Sequence, residues 1–316
     1  MVIMKMTLEQ LRIFVAVAER EHVTRGARDL NLTQSATSAA VAALEARYAT
    51  KLFDRVGRRI ALTEAGKLFL AEAKAVLCRA AKAETVLADL SGLKRGTLSL
   101  AASQTIANYW LPAILHEYVT QYPGIQVTLS IGNTETVSTQ IHEGTTDLGF
   151  IEGEVDDGAL DVQSIAEDQM ILVAAPGHPW ASATPDPMRD FAAANWICRE
   201  QGSGTRAMSN AALSQLGLCM RDFHIVLELP SNESIRAAVE AGAGVTIISR
   251  LVVWGSLNAG TLVQVPLDLP KRRFQLLRHK ERYITQAERA LYRLLSMFRK
   301  PGETTALASS AACCQG

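Results

Sequence analysis

The stretch Thr24-Arg-Gly-Ala-Arg-Asp-Leu-Asn31-Leu-Thr33-Gln-Ser-Ala-Thr-Ser38 decides how the N-terminal part of the chain folds. Thr24 opens a short helix that ends near Leu30, and Asn31 tolerates the left-handed backbone a tight turn needs. Thr33 is a preferred cap for a further helix, Gln34 to about Arg47. Two short helices joined by a turn of a few residues make a helix-turn-helix. Upstream, Thr7-Leu-Glu-Gln10 reads as a capping box, and Leu8, Leu11, Phe14, Val15 and Ala18 recur at helical spacing, which predicts a helix to about Arg20. Ala36, Ala40, Val41 and Leu44 are expected to face inward, leaving Gln34, Ser35, Thr37 and Ser38 outward. Downstream, Leu52 to Leu62 alternates around Gly57 and reads as a small hairpin, a wing.

Thr63 caps a long helix, about Glu64 to Leu90, on which Leu62, Ala65, Phe69, Val76, Ala83, Val86, Leu90 and Leu93 form an apolar seam. Such a seam needs a partner, either a second copy of the chain or another surface of the same chain; the pairing reading is preferred. From Gly96 strands alternate with helices, beginning with Thr97–Ala102, Thr105–Tyr118 and Gln126–Ile131 and closing with Arg272–His279 and Thr285–Phe298. That pattern predicts largely parallel sheets covered on both faces. Two such sets, with the last elements returning to the first, predict two lobes with a cleft between them. The expected organisation is 1–63 winged helix-turn-helix domain, 64–94 linker helix and 95–300 two-lobed domain, with lobe I about 95–165 and 269–300 and lobe II about 166–268. A tail, 301–316, is read as disordered.

Composition sets the outer bounds. A chain of 316 residues, 48% hydrophobic and 20% charged, is too long for one ordinary domain and has no run of about 18 apolar residues. Five scattered cysteines without a C-x-x-C argue for a reducing compartment, hence a cytoplasmic protein, and against a zinc site. The zero net charge hides a division: residues 1–95 carry 16 basic and 10 acidic side chains, a balance of +6, and the remainder carries −6. A basic N-terminal third points to a polyanion. The histidines are isolated from one another, and no P-loop, H-E-x-x-H or nucleophile elbow occurs, so no metal, cofactor or catalytic group is expected.

Thr7–Ala65 resembles the DNA-binding domain of LysR-type transcriptional regulators. The resemblance rests on Leu8-Glu-Gln-Leu-Arg-Ile-Phe14, Leu32-Thr-Gln-Ser-Ala-Thr-Ser38, Ala43-Leu-Glu45, Leu52-Phe-Asp-Arg55 and Leu62-Thr-Glu-Ala-Gly66. It extends to about Arg299, with Ser231–Ser249 similar to the family's helix-turn-strand passage and Gly202-Ser-Gly-Thr-Arg206 to the form in regulators of carbon fixation and sulfur assimilation. The resemblance implies a winged helix-turn-helix, a dimerising linker helix and a two-lobed, periplasmic-binding-protein-like effector domain. It also implies a homotetramer on double-stranded promoter DNA, controlled by a small co-inducer between the lobes. Three positions depart from the family: Gly26 and Ala49 exchange the usual alanine and glycine, and Ala39 stands where a polar residue is common. Gly26 should cost up to roughly 1 kcal/mol of helix.

Two sites follow. Short polar side chains near a recognition helix's N-terminus reach base edges, which selects Gln34, Ser35, Thr37 and Ser38 with the cap Thr33; Arg55, Arg58 and Arg59 on the wing would meet phosphates or the minor groove. The second site is one for an anion. Ser203, Gly204, Thr205 and Arg206 open a helix after a strand, Ser103, Gln104 and Thr105 do so in the other lobe, and Asn133 and Thr134 repeat the pattern. Helix N-termini and hydroxyl donors at strand ends suit a compact oxyanion or small carboxylate. Taken singly, each is an ordinary helix cap, and Arg206 could equally face solvent. Two alternatives stand beside this reading: a dinucleotide-binding enzyme using Gly202-Ser203-Gly204 with Glu228 on the ribose, and a redox sensor using Cys198 or Cys219.

Overall fold

Thr7 opens the first helix as a capping box: its hydroxyl accepts from the Gln10 N–H at 3.2 Å and its own N–H donates to the Gln10 side chain at 3.1 Å. In this computed structural model, residues 6–56, 59–90 and 96–298 are described; Arg58, Leu93 and the tail 301–316 lie outside them. The chain forms two compact units, Met1–Leu87 and Ala88–Gly316.

In the first unit α1 (Leu8–Arg20), α2 (Val23–Asp29) and α3 (Gln34–Tyr48) precede a hairpin of β1 (Phe53–Val56) and β2 (Arg59–Leu62) and the long α4 (Glu64–Leu90). Asn31 takes a φ of 56° between α2 and α3, the left-handed conformation that suits Asn in a turn. Gly26 is buried, and a Cβ there would lie 2.9 Å from the Val17 backbone. The glycine therefore sets how closely α1 and α2 approach, beyond any cost to the helix. Ala49 ends α3 at φ 49°, doing the work usually left to glycine. The core gathers Leu11, Phe14, Ala18, Leu44, Leu52 and Ala73, with the Phe14 ring 5.5 Å from Phe53 and 4.8 Å from Phe69. Glu45 accepts from the Leu52 and Phe53 N–H groups at 2.7 and 3.2 Å, tying the hairpin to α3. The α4 seam divides: Phe69 packs on this core beside Ala73, Val76 is exposed and Val86 half-buried, and Leu87, outside the expected seam, is exposed as well.

The second unit begins with β3 (Gly96–Ser103), a π-helical turn at Ile106–Trp110, α5 (Leu111–Gln121), β4 (Ile125–Gly132), α6 (Thr134–Glu143) and β5 (Leu148–Glu152). It continues through β6 (Leu160–Ala174), α7 (Pro187–Asp190), β7 (Asn195–Arg199), α8 (Gly204–Gln215), β8 (His224–Leu229) and α9 (Asn232–Glu240). The last elements are β9 (Thr246–Ser249), α10 (Arg250–Ala259), β10 (Val263–Val265), β11 (Lys271–His279) and α11 (Gln286–Phe298). Strand β6 serves both lobes. Its first part, to Gln169, pairs with β11 in lobe I beside β5, β3 and β4; from Met170 it pairs with β9 and β10 in lobe II. The expectation of largely parallel sheets needs correction. Pairs β3–β4, β3–β5 and β7–β8 are parallel, but every pairing of β6 and β11 is antiparallel. The physical reason is that β6 and β11 carry the chain to lobe II and back, so they run in opposite directions. Separate apolar clusters fill the lobes, around Phe150 and Phe274 in lobe I and around Trp196 and Phe191 in lobe II.

Candidate functional site

The first candidate surface is the N-terminal end of α3. Thr33 caps it, its hydroxyl accepting from the Ala36 N–H at 3.2 Å and lying 3.1 Å from the Ser35 hydroxyl. Gln34, Ser35 and Ser38 are exposed there. Thr37 is not: it is fully buried, its hydroxyl has no hydrogen-bond partner, and Ala36 is exposed in its place. This exchanges the expected places of Ala36 and Thr37, while Gln34, Ser35 and Ser38 face outward and Val41 and Leu44 inward as expected. The inward stripe is Thr37, Val41 and Leu44, at i, i+4 and i+7, so helical phase outranks the polarity of the individual residue. Arg55 is exposed on the hairpin opposite Ile60, and the Arg59 backbone pairs with Val56.

The second candidate site lies between the lobes of the second unit. At its centre is Arg272, the second residue of strand β11, with a side chain that is 0% exposed. Its Nε donates to Asp168 Oδ2 at 2.7 Å, its Nη1 to the Thr205 hydroxyl at 3.1 Å and its Nη2 to the Thr105 hydroxyl at 3.2 Å. One guanidinium thus holds a hydroxyl from each lobe. Asn232 donates to the same Thr105 oxygen at 3.1 Å, and the Ser249 hydroxyl donates to Asp168 at 2.9 Å. Burial pushes the Asp168 carboxyl above its ordinary value, against Arg272 and Ser249, which hold it down. Ser103 is buried nearby with no hydrogen-bond partner for its hydroxyl.

The proposed anion-binding residues separate into groups. Thr105 and Thr205 meet at Arg272, and Ser203 stands at the head of α8 without using its side chain as a cap. Gln104 reaches across to lobe II, accepting from the Asn232 N–H at 3.0 Å and donating to the Pro230 carbonyl at 2.7 Å. Asn133 is an ordinary cap, accepting from the Thr136 N–H at 2.9 Å, and Thr134 donates to the Glu152 carbonyl at 2.8 Å. Arg206 points inward, donating to the Arg199 carbonyl at 2.7 Å and lying 3.3 Å from Glu228. A Cβ at Gly204 would lie 2.0 Å from the Glu152 carbonyl oxygen, so this glycine allows lobe contact, and Glu228 is engaged by Arg206. Neither feature favours a nucleotide loop. Cys198 is buried, which pushes its thiol up and away from the thiolate that redox sensing needs. Among the described residues no His, Cys, Asp and Glu group could hold a metal ion, and no helix is long and apolar enough to cross a membrane.

Two family models match this chain: the bacterial regulatory helix-turn-helix protein model of the lysR family over residues 8–67, and the LysR substrate binding domain over residues 91–298. The chain belongs to the LysR family. It is a LysR-type transcriptional regulator with a helix-turn-helix domain and a two-lobed effector-binding domain. Among its LysR relatives, the uncharacterized HTH-type transcriptional regulator YeiE of Escherichia coli K12 is 35% identical over 90% of this chain and 96% of its own. A probable RuBisCO transcriptional regulator of Cyanophora paradoxa is 33% identical over 92% of each, which agrees with the resemblance to carbon-fixation regulators. The crystal structure of CbnR, a LysR family regulator, superposes with a TM-score of 0.71 at 20% identity, covering 93% of this chain and all of that one. The regulatory domain of Synechocystis CcmR, solved in complex with 2-PG, is 25% identical over 66% of this chain and 99% of its own, with a TM-score of 0.60.

In this LysR regulator, sequence reasoning missed Arg272, Asp168, Asn232 and Glu152. A signal for Arg272 existed. In Lys271-Arg-Arg-Phe-Gln-Leu276 the strand period of two puts Arg272 on the face of Phe274 and Leu276, both buried. A run of three basic residues reads as solvated unless that alternation is followed through it.

Proposed function

We propose that this regulator binds promoter DNA through Gln34, Ser35 and Ser38 at base edges and through Arg55, Arg58 and Arg59 at the backbone, and that a compact anion between the effector lobes controls it. An inorganic oxyanion or a small carboxylated or phosphorylated metabolite fits best. The observation that carries the anion reading is the buried Arg272 guanidinium, held between Thr105 of one lobe and Thr205 of the other. Both hydroxyls accept from Arg272, which leaves their own protons free to donate to a ligand. The N-terminus of α8 adds backbone N–H groups. The 2-PG complex of the CcmR regulatory domain supports an anionic effector in a related fold.

An anion drawn to Arg272 would compete with Asp168 and alter the pairing of β6 with β11, the two strands that join the lobes. Control then requires that the effector bind one lobe arrangement more tightly than the other. The exposed Val76 and Leu87 on α4 support pairing of two chains through that helix, and we read the assembly as a homotetramer. We assign the chain no catalytic role and place it in the cytoplasm, where its promoter lies.

Calorimetry of the full chain against sulfate, sulfite, phosphate, 2-PG and benzoate tests the anion reading. Binding of at least one small anion, weakened at least tenfold in Thr105→Val/Thr205→Val, is expected. Binding of benzoate alone would overturn it.

A further inference from the structure

We propose that the effector is amphoteric, and that its cationic group is held at an acidic mouth of the interlobe cleft that the anion-binding residues do not account for. The inference rests on the reading of the effector as an anion seated between the lobes, and it adds a second, opposite charge to that molecule. A cleft of about 550 Å³ opens beside the α8 N-terminus, between α6 and the segment after β5 on one side and residues 201–210 on the other. Its wall carries Glu135, Glu143, Glu152, Glu154, Asp156 and Asp157, against Arg206 and His142 as the basic side chains in the same lining. Both basic groups are already engaged: His142 lies 2.7 Å from Asp157, and Arg206 lies 3.3 Å from Glu228. A simple anion entering here would meet a repulsive field, which low-dielectric walls concentrate.

The floor supplies an independent observation. Glu152 is 2% exposed and its Oε1 has no hydrogen-bond partner, the nearest guanidinium nitrogen being Arg272 Nη2 at 3.7 Å. Arg206 is 8% exposed and its Nε–H is also without a partner. Nearly all buried polar groups in folded proteins are paired. Here one carboxylate oxygen, ion-paired with Arg272 but not hydrogen-bonded, and one guanidinium N–H without an acceptor belong to residues that line the same cleft. A ligand that satisfies both must itself donate and accept. Primary ammonium and carboxylate, sulfonate or phosphonate on one small skeleton meet that requirement with full opposite charges, whereas a fully deprotonated oxyanion only accepts. Glu135 sits at the lobe boundary, its Oε2 only 2.6 Å from where a Gly202 Cβ would be, so a cation held there would touch both lobes. The chemical class is therefore a small zwitterion of the amino-acid type.

Calorimetry on the full chain decides, using matched pairs: the standard amino acids, taurine and 2-aminoethylphosphonate against the same skeletons without the amino group. At least one amino-bearing member should bind tenfold or more tightly than its partner. Glu154→Gln/Asp156→Asn, which alters exposed loop side chains, should erase that preference while leaving simple anions bound as well or better. Glu152→Gln should weaken the zwitterion too. If oxyanions bind and no amino-bearing compound exceeds its partner, or if the Glu154/Asp156 variant keeps the full preference, this inference falls and the anion reading stands. If neither class binds, both fall.

Discussion

Arg272→Met removes one charge from the centre of the effector unit while keeping most of the side chain's apolar bulk. The structure sets the cost. Asp168, 5% exposed, would lose its 2.7 Å partner and keep only the Ser249 hydroxyl, and Glu152 would lose the cation 3.7 Å away. Breaking a buried pair from one side costs about 3–5 kcal/mol, because the other charge is stranded. Adding Asp168→Asn removes the stranded charge and should return roughly 2 kcal/mol, a coupling expected for groups in direct contact. The effect has a pH signature. Burial already holds the Asp168 carboxyl above its ordinary value, and Arg272 is the main group holding it down. Without Arg272 the folded-state value rises further. A raised carboxyl contributes stability that is present below its unfolded value and lost as pH rises through the folded one. The deficit of Arg272→Met should therefore be smallest at acid pH, below the ordinary carboxylate range, and grow as pH rises above it. Urea unfolding followed by tryptophan emission measures it cleanly, since Trp110, Trp180, Trp196 and Trp254 all lie in the second unit. A loss under about 1 kcal/mol that is flat with pH would refute the buried-pair argument, as would no recovery in the double variant.

Gly26→Ala gains up to about 1 kcal/mol of helix propensity but overpacks against Val17 by roughly 1–3 kcal/mol, so a net loss near 1 kcal/mol is expected. Hydrogen exchange of the α1 and α2 amides reads it, and slower exchange would contradict it. Thr37→Val replaces a buried, unpartnered hydroxyl by a methyl of similar shape and should be neutral or stabilising by up to about 1 kcal/mol, with operator affinity unchanged; a tenfold loss of affinity would return Thr37 to the base edges. Val76→Asp/Leu87→Asp should dissociate paired chains in sedimentation velocity, and an unchanged sedimentation coefficient would place the pairing elsewhere. Arg55→Ala should weaken operator and random DNA alike and reduce the salt slope by about 1, the contribution of one phosphate contact; an unchanged slope would remove Arg55 from the backbone.

The helices of the first unit were legible because local rules decide them. Thr7 and Thr33 cap as expected, and α4 runs from Glu64 to Leu90 as the periodicity predicts. Side-chain direction was less legible where a small polar residue replaces an apolar one: Thr37 buries a hydroxyl that residue type alone assigns to solvent. In the effector unit, hydroxyls at strand ends led to Thr105 and Thr205 but not to what joins them. Arg272 and Asp168 stand 104 positions apart in sequence and meet only because β6 and β11 pair. No local pattern encodes that register. The acidic mouth was hidden for a similar reason, since Glu135, Glu152 and Glu154 come from separate elements and read one at a time as solvated charge.

The sharing of β6 between lobes also bears on how the chain is made. Lobe II is built from one continuous run, from Met170 to about Leu269, so it is complete as soon as that run has left the ribosome. Lobe I is not. Its sheet lacks β11 and its core lacks Leu291, Leu294 and Leu295 until the last helix emerges. During synthesis from the N-terminus, strands β3 to β5, covered only by α5 and α6, must wait through the translation of the whole second lobe for β11 and α11 to complete their sheet and core. A nonsense codon that removes only α11 would leave lobe II able to fold and strand lobe I, so the final helix is where a short truncation does disproportionate damage.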